Sequence, residues 1–184
     1  MLYITDSGNN RIRTYNSNIY LNTLSNLKAT TVSTFPMANP LATGPLLSTK
    51  FTCALIVVGD NDDIYCWDST NFVIRKITNT TVSLFAGTGS SGTLYSFDNV
   101  RGLLWYNSAL YVLSYFAGGG YSYFLQIHPD GTINSTILGS TYQYVYSPVW
   151  NEQYGCVLVI LGGSMRLGSY DPANSKNTTL TAKN

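Results

Sequence analysis

Charge is what this sequence has least of. Asp, Glu, Lys and Arg make up 10% of its 184 residues, against about a quarter in an ordinary soluble domain. The ten basic residues are scattered and the net charge is +1. There is no clustered basic face of the kind a phosphate backbone requires, so nucleic acid is not an expected partner. Histidine occurs once, at His128, and cysteine three times, at Cys53, Cys66 and Cys156, with no CxxC pair. A Cys/His zinc site therefore has too few ligands. No run reaches the roughly 18 apolar residues of a membrane span. The longest candidate, Leu103 to Phe116, is broken by Asn107-Ser108. The N-terminus shows no basic region followed by an apolar core, so no signal peptide is read there.

Hydrophobic residues make up 45% of the chain and there are fifteen Tyr. With so little charge, the polar surface must be built from Ser, Thr, Asn, Gly and Tyr. That composition favours strands and turns over helices, and it suits a secreted or surface-displayed protein. The length allows one domain with a substantial core. All three cysteines fall inside apolar runs and read as buried free thiols. A Cys53–Cys66 disulfide across one hairpin is the alternative, given a favourable register.

Repeats organise the chain. Leu2 to Arg13, LYITDSGNNRIR, is echoed at Ile64 to Ile77, IYCWDSTNFVIRKI. Each copy reads as a short strand ending in Asp, a tight polar turn, and a second strand entered through Ile-Arg. Gly8, Asn9 and Asn10 are residue types that accept the positive φ a tight hairpin needs. A further echo lies outside that motif: Thr30 to Phe35 (TTVSTF) recurs as Thr80 to Phe85 (TTVSLF). Four units follow, at residues 1–35, 51–86, 100–138 and 145–182, with Pro36 to Lys50 and Gly87 to Gly92 as loops. Tyr65, Tyr111 and Leu158, on the expected second strands, are about 46 residues apart, the period of a four-stranded propeller blade. Phe51 to Val58, Leu103 to Trp105, Leu110 to Tyr115 and Cys156 to Leu161 lack clear alternation, as strands buried on both faces do. No helical pattern intervenes, which excludes βαβ units. The expected fold is all-β: a β-propeller of about four four-stranded blades in one domain, entered at the second strand of an incomplete first blade.

Leu2 to Arg13 resembles the NHL repeat, whose hallmark is a strand followed by Asp-x-Gly-Asn-Asn-Arg-Ile-Arg. Asp6, Gly8, Asn9, Asn10, Arg11, Ile12 and Arg13 match it. Asp68, Asn71 and Ile74-Arg75-Lys76 match in part, and Ala86-Gly87-Thr88-Gly89 has the family's ending. The third and fourth units keep the spacing and lose the turn. The resemblance implies a β-propeller, which in this family usually has about six blades, within the range known for such folds. The physical logic of the motif is local. Asp6 or Asp68 accepts backbone N–H groups of the turn that follows, and Arg11 or Arg75 pairs with that carboxylate while its stem lies on apolar surface.

The candidate sites divide into scaffold and surface. Asp6, Gly8, Asn9, Asn10, Arg11, Asp68, Asn71 and Arg75 form the blade-turn motif and are expected to build the fold. Gly87 to Gly92 lacks the Lys and the following helix of a phosphate cradle. His128 sits in His-Pro-Asp-Gly, a turn sequence. Asn79, Asn134 and Asn177 open Asn-x-Ser/Thr sequons at or near the turn into the outermost strand of successive units, and are candidate glycosylation sites. Tyr115, Phe116 and Tyr121 flank a triple-glycine turn and are candidates for a binding face, with loops Pro36 to Lys50 and Gly87 to Asn99. No catalytic, cofactor or metal residues are assigned. The expected function is a non-enzymatic extracellular binding or assembly module, including a structural subunit of a surface fibre or coat. Its partners would be a protein, copies of itself, or glycans. The resemblance also admits a fragment of an NHL-type metal-dependent lyase or lactonase, whose ligands come from several inner strands. A cytoplasmic RNA-binding module is a third possibility, opposed by the missing basic face.

Overall fold

The structure, a computed structural model, describes residues 2–6, 11–15, 28–31, 43–45, 51–78, 80–92, 95, 97–116, 120–139, 145–153, 155–161, 166–171 and 176–180. Among these, the regular elements are β-strands and one turn of 3-10 helix at Asp60–Asp62. The chain forms two compact units, Met1–Ser91 with Tyr95–Phe97, and Gly92–Leu94 with Asp98–Asn184.

The first unit holds two antiparallel sheets. Strands β1 (Leu2–Asp6), β2 (Arg11–Tyr15) and β3 (Lys28–Thr31) form the first, in that order. The second has five strands, β4 (Gly44–Pro45), β5 (Leu55–Val58), β6 (Ile64–Asp68), β7 (Val73–Ile77) and β8 (Thr81–Ala86), in the order β4-β8-β7-β6-β5. Local chemistry sets the turns. Asn61 and Asp62 take φ of 58° and 59° between β5 and β6, a conformation that short polar side chains tolerate best. Between β7 and β8, Thr78 N–H donates to the Thr81 carbonyl at 2.9 Å, and Thr81 N–H donates to the Thr78 hydroxyl at 3.1 Å. Ile12, Phe51, Cys66, Ile77 and Val82 are buried together, with Cys53, Ile56 and Ile64 packed against them.

Two expectations are corrected here, and one repeat proves to differ in register. The segment read as a loop at Pro36 to Lys50 contributes β4, which pairs with β8 through Gly44↔Val82 and Pro45↔Thr81. The TTV echo does not sit in equivalent register: Thr30 pairs with Ile12 and Thr31 with Arg11, whereas Val82 pairs with Ile77. Tight turns fix hairpin register and long connections do not. Only the β7–β8 connection is tight, and β2 and β3 are separated by residues 16–27. Finally, Cys53 and Cys66 form a disulfide, with Cα atoms 5.7 Å apart, within the ordinary range. The pairing Ile56↔Cys66 brings the chain just ahead of β5 alongside β6. Cys156 is a buried free cysteine, as expected.

The second unit holds two four-stranded meanders. The third sheet is β9 (Val100–Tyr106), β10 (Ala109–Phe116), β11 (Tyr121–Ile127) and β12 (Ile133–Gly139). The fourth is β13 (Val145–Asn151), β14 (Cys156–Leu161), β15 (Arg166–Asp171) and β16 (Lys176–Leu180). Asn107 and Ser108 join β9 to β10 with φ of 49° and 55°, the two-residue mirror-image turn that matches strand twist. Every residue from Ala109 to Ser114 is buried, so the lost alternation of this run does report burial on both faces. In β14, by contrast, Val157 and Val159 are buried while Ile160 is exposed: one face is covered and the other is open. Val157 and Val159 pack with Ala109, Tyr111, Leu113 and Phe124, bordered by Leu104, Tyr106 and Trp150. The Tyr106 and Trp150 rings stack with centroids 3.6 Å apart. A Cβ on Gly102 would collide with the Pro148 ring, so the two sheets meet where a glycine allows close approach.

Candidate functional site

The blade-turn motif closes around Asp68. Its side chain and that of Arg75 are both 0% exposed, and Arg75 Nε donates to Asp68 Oδ2 at 2.7 Å. The same oxygen accepts Asn71 Nδ2 at 2.8 Å. Oδ1 accepts two backbone N–H groups, from Asn71 and Thr52, each at 3.3 Å. Strand β6 delivers the carboxylate at its last residue, the turn delivers Asn71, and β7 delivers Arg75 three residues in, all from one short stretch of chain. The Arg75 guanidinium carbon lies 5.6 Å from the centroid of the Phe51 ring, a cation–π distance. Such an enclosed pair survives burial only because each partner is hydrogen-bonded. It presents no reactive atom to solvent. Phe72 stands in the turn with φ of 56°, where the first copy of the motif has Asn10.

Register shows which residues of the first copy correspond. Asp6 pairs with Arg11 as Asp68 pairs with Val73, and Ile4 pairs with Arg13 as Cys66 pairs with Arg75. Arg13, not Arg11, therefore occupies the Arg75 position, and the ungapped alignment puts Asn9 at the Asn71 position. Gly8, Asn9 and Asn10 lie outside the described residues, and for Asp6 and Arg11 the backbone alone is described.

The surface candidates scatter over the second unit. Tyr115 is half-buried and its N–H donates to the Asn99 carbonyl at 3.0 Å. That carbonyl also accepts the Ser114 hydroxyl at 3.2 Å. Phe116 and Tyr121 are backbone partners, with Tyr115 opposite Ser122. The three aromatic positions thus gather at one end of the β10–β11 hairpin. His128 lies at the opposite end of β11. Its N–H donates to the Thr132 carbonyl and its carbonyl accepts Gly131 N–H, both at 2.9 Å. Gly131 has φ of 85°, so the four-residue turn is as the sequence led us to expect. His128 Nε2 lies 3.2 Å from Asn134 Nδ2. Asp130 Oδ1 accepts Thr132 N–H at 2.9 Å, and this bond holds the Asp130 carboxyl below its usual range. Asn134 is exposed on β12, an edge strand. Asn177 lies on β16, also an edge strand, while Asn79 lies outside the described residues. The strand after Asn79, β8, is flanked by β4 and is not the outermost of its sheet.

Sequence reasoning missed one cluster. Lys76 Nζ lies 2.7 Å from Asp63 Oδ2 and 5.9 Å from the Tyr65 ring centroid. Burial pushes the Tyr65 phenol above its ordinary value, and the hydrogen bond to Asp63 pushes the Lys76 ammonium up. The strand pairing Tyr65↔Lys76 makes these neighbours, which linear spacing does not reveal. Among the described residues, no three His, Cys, Asp or Glu side chains are grouped to hold a metal ion. No helix there is long and apolar enough to cross a membrane.

No family model matches this chain, and no curated protein matches it in sequence. Solved structures do. A streptogramin B lyase structure is 12% identical, covering 96% of this chain and 49% of its own, with a TM-score of 0.63. A virginiamycin B lyase from Staphylococcus aureus is 14% identical, with coverages of 99% and 52% and a TM-score of 0.61. A catalytically inactive form of that lyase with quinupristin is 12% identical, with the same coverages and a TM-score of 0.60. The chain thus spans about half the length of the structures it matches. At these identities the likeness speaks to architecture alone, and with the antiparallel meanders above it shows that this chain has a β-propeller fold.

Proposed function

We propose that residues 1–184 are a single NHL-type propeller domain of a secreted or surface-displayed protein that works by binding or assembly rather than by catalysis. The observation that carries this is the enclosure of Asp68, Asn71 and Arg75. The most specific motif in the chain is fully used in holding a blade turn together. The Cys53–Cys66 disulfide supports an oxidising compartment, and the exposed Asn134 on an edge strand supports glycosylation there. Partner contacts are assigned to the loops 36–50, 87–99 and 115–121. The test is to substitute surface positions of these loops in the native protein while leaving β4 (Gly44–Pro45), Phe97 and Asn99 in place. Binding to whichever extracellular protein or glycan it recognises should be lost while the melting temperature is kept. Unchanged binding would sink the loop assignment.

The structural likeness favours a second reading, an NHL-type lyase or lactonase of which this chain is part. It is separated from the first by incubating the native protein with quinupristin and a panel of divalent metals. Conversion of quinupristin by mass spectrometry, together with bound Zn²⁺ or Ca²⁺ by elemental analysis, would establish the enzyme and overturn the binding module.

A further inference from the structure

The segment just ahead of β5 is held to its neighbours by one covalent bond and a few weak ones. Cys53 is joined to Cys66 of β6. Ala54 N–H donates to the Trp67 carbonyl at 3.0 Å. Thr52 N–H donates to Asp68 Oδ1 over a long 3.3 Å, and the Thr52 hydroxyl accepts that of Thr70 at 2.9 Å, on the exposed surface. Phe51, at the head of the segment, is fully buried, with its ring beside the Arg75 guanidinium. Residues 51–54 are thus a strap over the Asp68–Arg75 pair: the Thr52 backbone reaches the carboxylate and the Phe51 ring flanks the guanidinium. The sheet beneath is paired without the strap. Strand β5 meets β6 from Leu55↔Trp67 onward, and β7 pairs with β6 and with β8.

We propose that the Cys53–Cys66 disulfide is a redox latch: a dithiol reductant opens it, and the strap then lifts from the Asp68–Arg75 pair while the sheet of β5 to β8 stays paired. Access sets the order of exchange. Cys53 is partly exposed and Cys66 is fully buried, so a thiolate of the dithiol attacks Cys53 Sγ. The protein's S–S bond breaks, and Cys66 leaves as a thiolate that takes up a proton. The dithiol's second thiolate then attacks the mixed disulfide and releases Cys53, which is protonated in turn. Two electrons and two protons have passed to the cysteines, and the dithiol is left as its own disulfide. The freed strap keeps only its hydrogen bonds, each of modest net strength, and the burial of Phe51. A segment so held opens locally, without global unfolding, and Phe51 draws it back. The latch thus governs the access of water to a charged pair that the fold otherwise encloses. Oxidising surroundings keep it shut. This inference goes beyond the proposed function and holds whether the protein binds or catalyses.

The test is amide hydrogen exchange, read residue by residue by NMR on the full native protein, before and after addition of dithiothreitol. On reduction the Thr52 and Ala54 amides should speed up about tenfold more than those of Ile74 to Ile77 in the middle of the sheet. Cys53→Ala leaves Cys66 as a small buried hydrophobe. In that variant the strap amides should exchange fast with or without dithiothreitol. Strap and β7 amides speeding up by the same factor would overturn the proposal, since the first unit would then open as one body. Strap amides indifferent to dithiothreitol, or as slow in Cys53→Ala as in the oxidised parent, would overturn it as well. So would a Cys53→Ala protein without native circular dichroism, because the sheet must stand without the latch. Alkylation of both Cys53 and Cys66 in the unreduced native protein would remove the latch altogether.

Discussion

At the scale of single residues the fold depends on a few polar groups placed where water cannot reach. Truncating Asp68 to Ala leaves the Arg75 charge buried without its carboxylate, and should cost about 3–5 kcal/mol in denaturant unfolding. Adding Arg75→Met, which removes the orphaned charge and roughly keeps its volume, should recover a good part of that loss. The Lys76–Asp63–Tyr65 cluster gives a pH signature. Tyr65 and Lys76 both hold their protons more tightly folded than unfolded, above ordinary values of 10.0 and 10.5. Their contribution is therefore fully present below about pH 10 and is lost as pH rises through the folded values. The melting temperature should fall in that window, and Lys76→Met with Tyr65→Phe should flatten the fall. Because Lys76 is 34% exposed, its ion pair adds no more than about 1 kcal/mol. The Asp68 motif was visible in the sequence because all its members lie within eight residues. The Lys76 cluster was not, since it exists only once β6 and β7 pair.

At the scale of elements, strands were legible where turn chemistry and apolar runs agreed. Asn107-Ser108, Gly59-Asp60-Asn61-Asp62 and His128-Pro129-Asp130-Gly131 each mark a turn the structure contains. What escaped were features set by neighbouring strands: β4, whose two residues carry no periodicity, and the register of β3; the disulfide was read only as the alternative to free thiols. That crosslink joins residues 13 apart, so its reduction should destabilise the first unit by about 2–4 kcal/mol, seen as a lower melting temperature in dithiothreitol. The approach of Gly102 to Pro148 gives a second check. Gly102→Ala should destabilise by about 1–3 kcal/mol through overpacking, and Pro148→Ala in the same chain should relieve it, with both read by denaturant unfolding.

At the scale of the whole molecule, the composition and the period of about 46 residues carried the fold class, and the solved lyase structures share it. Function was less legible, because blade-building residues are shared by propellers of unrelated activity.

The two-residue strand β4 has a consequence for how the second sheet meets its surroundings. A bare β8 would offer a row of amides and carbonyls onto which any extended peptide could dock, the usual seed of fibrous aggregates. Gly44–Pro45 pairs with Val82 and Thr81 at the start of that row, and Pro45 has no amide hydrogen to pass on to a further strand. The start of β8 is thereby covered, so a mutation that frees it should show itself first as insolubility, before any loss of fold.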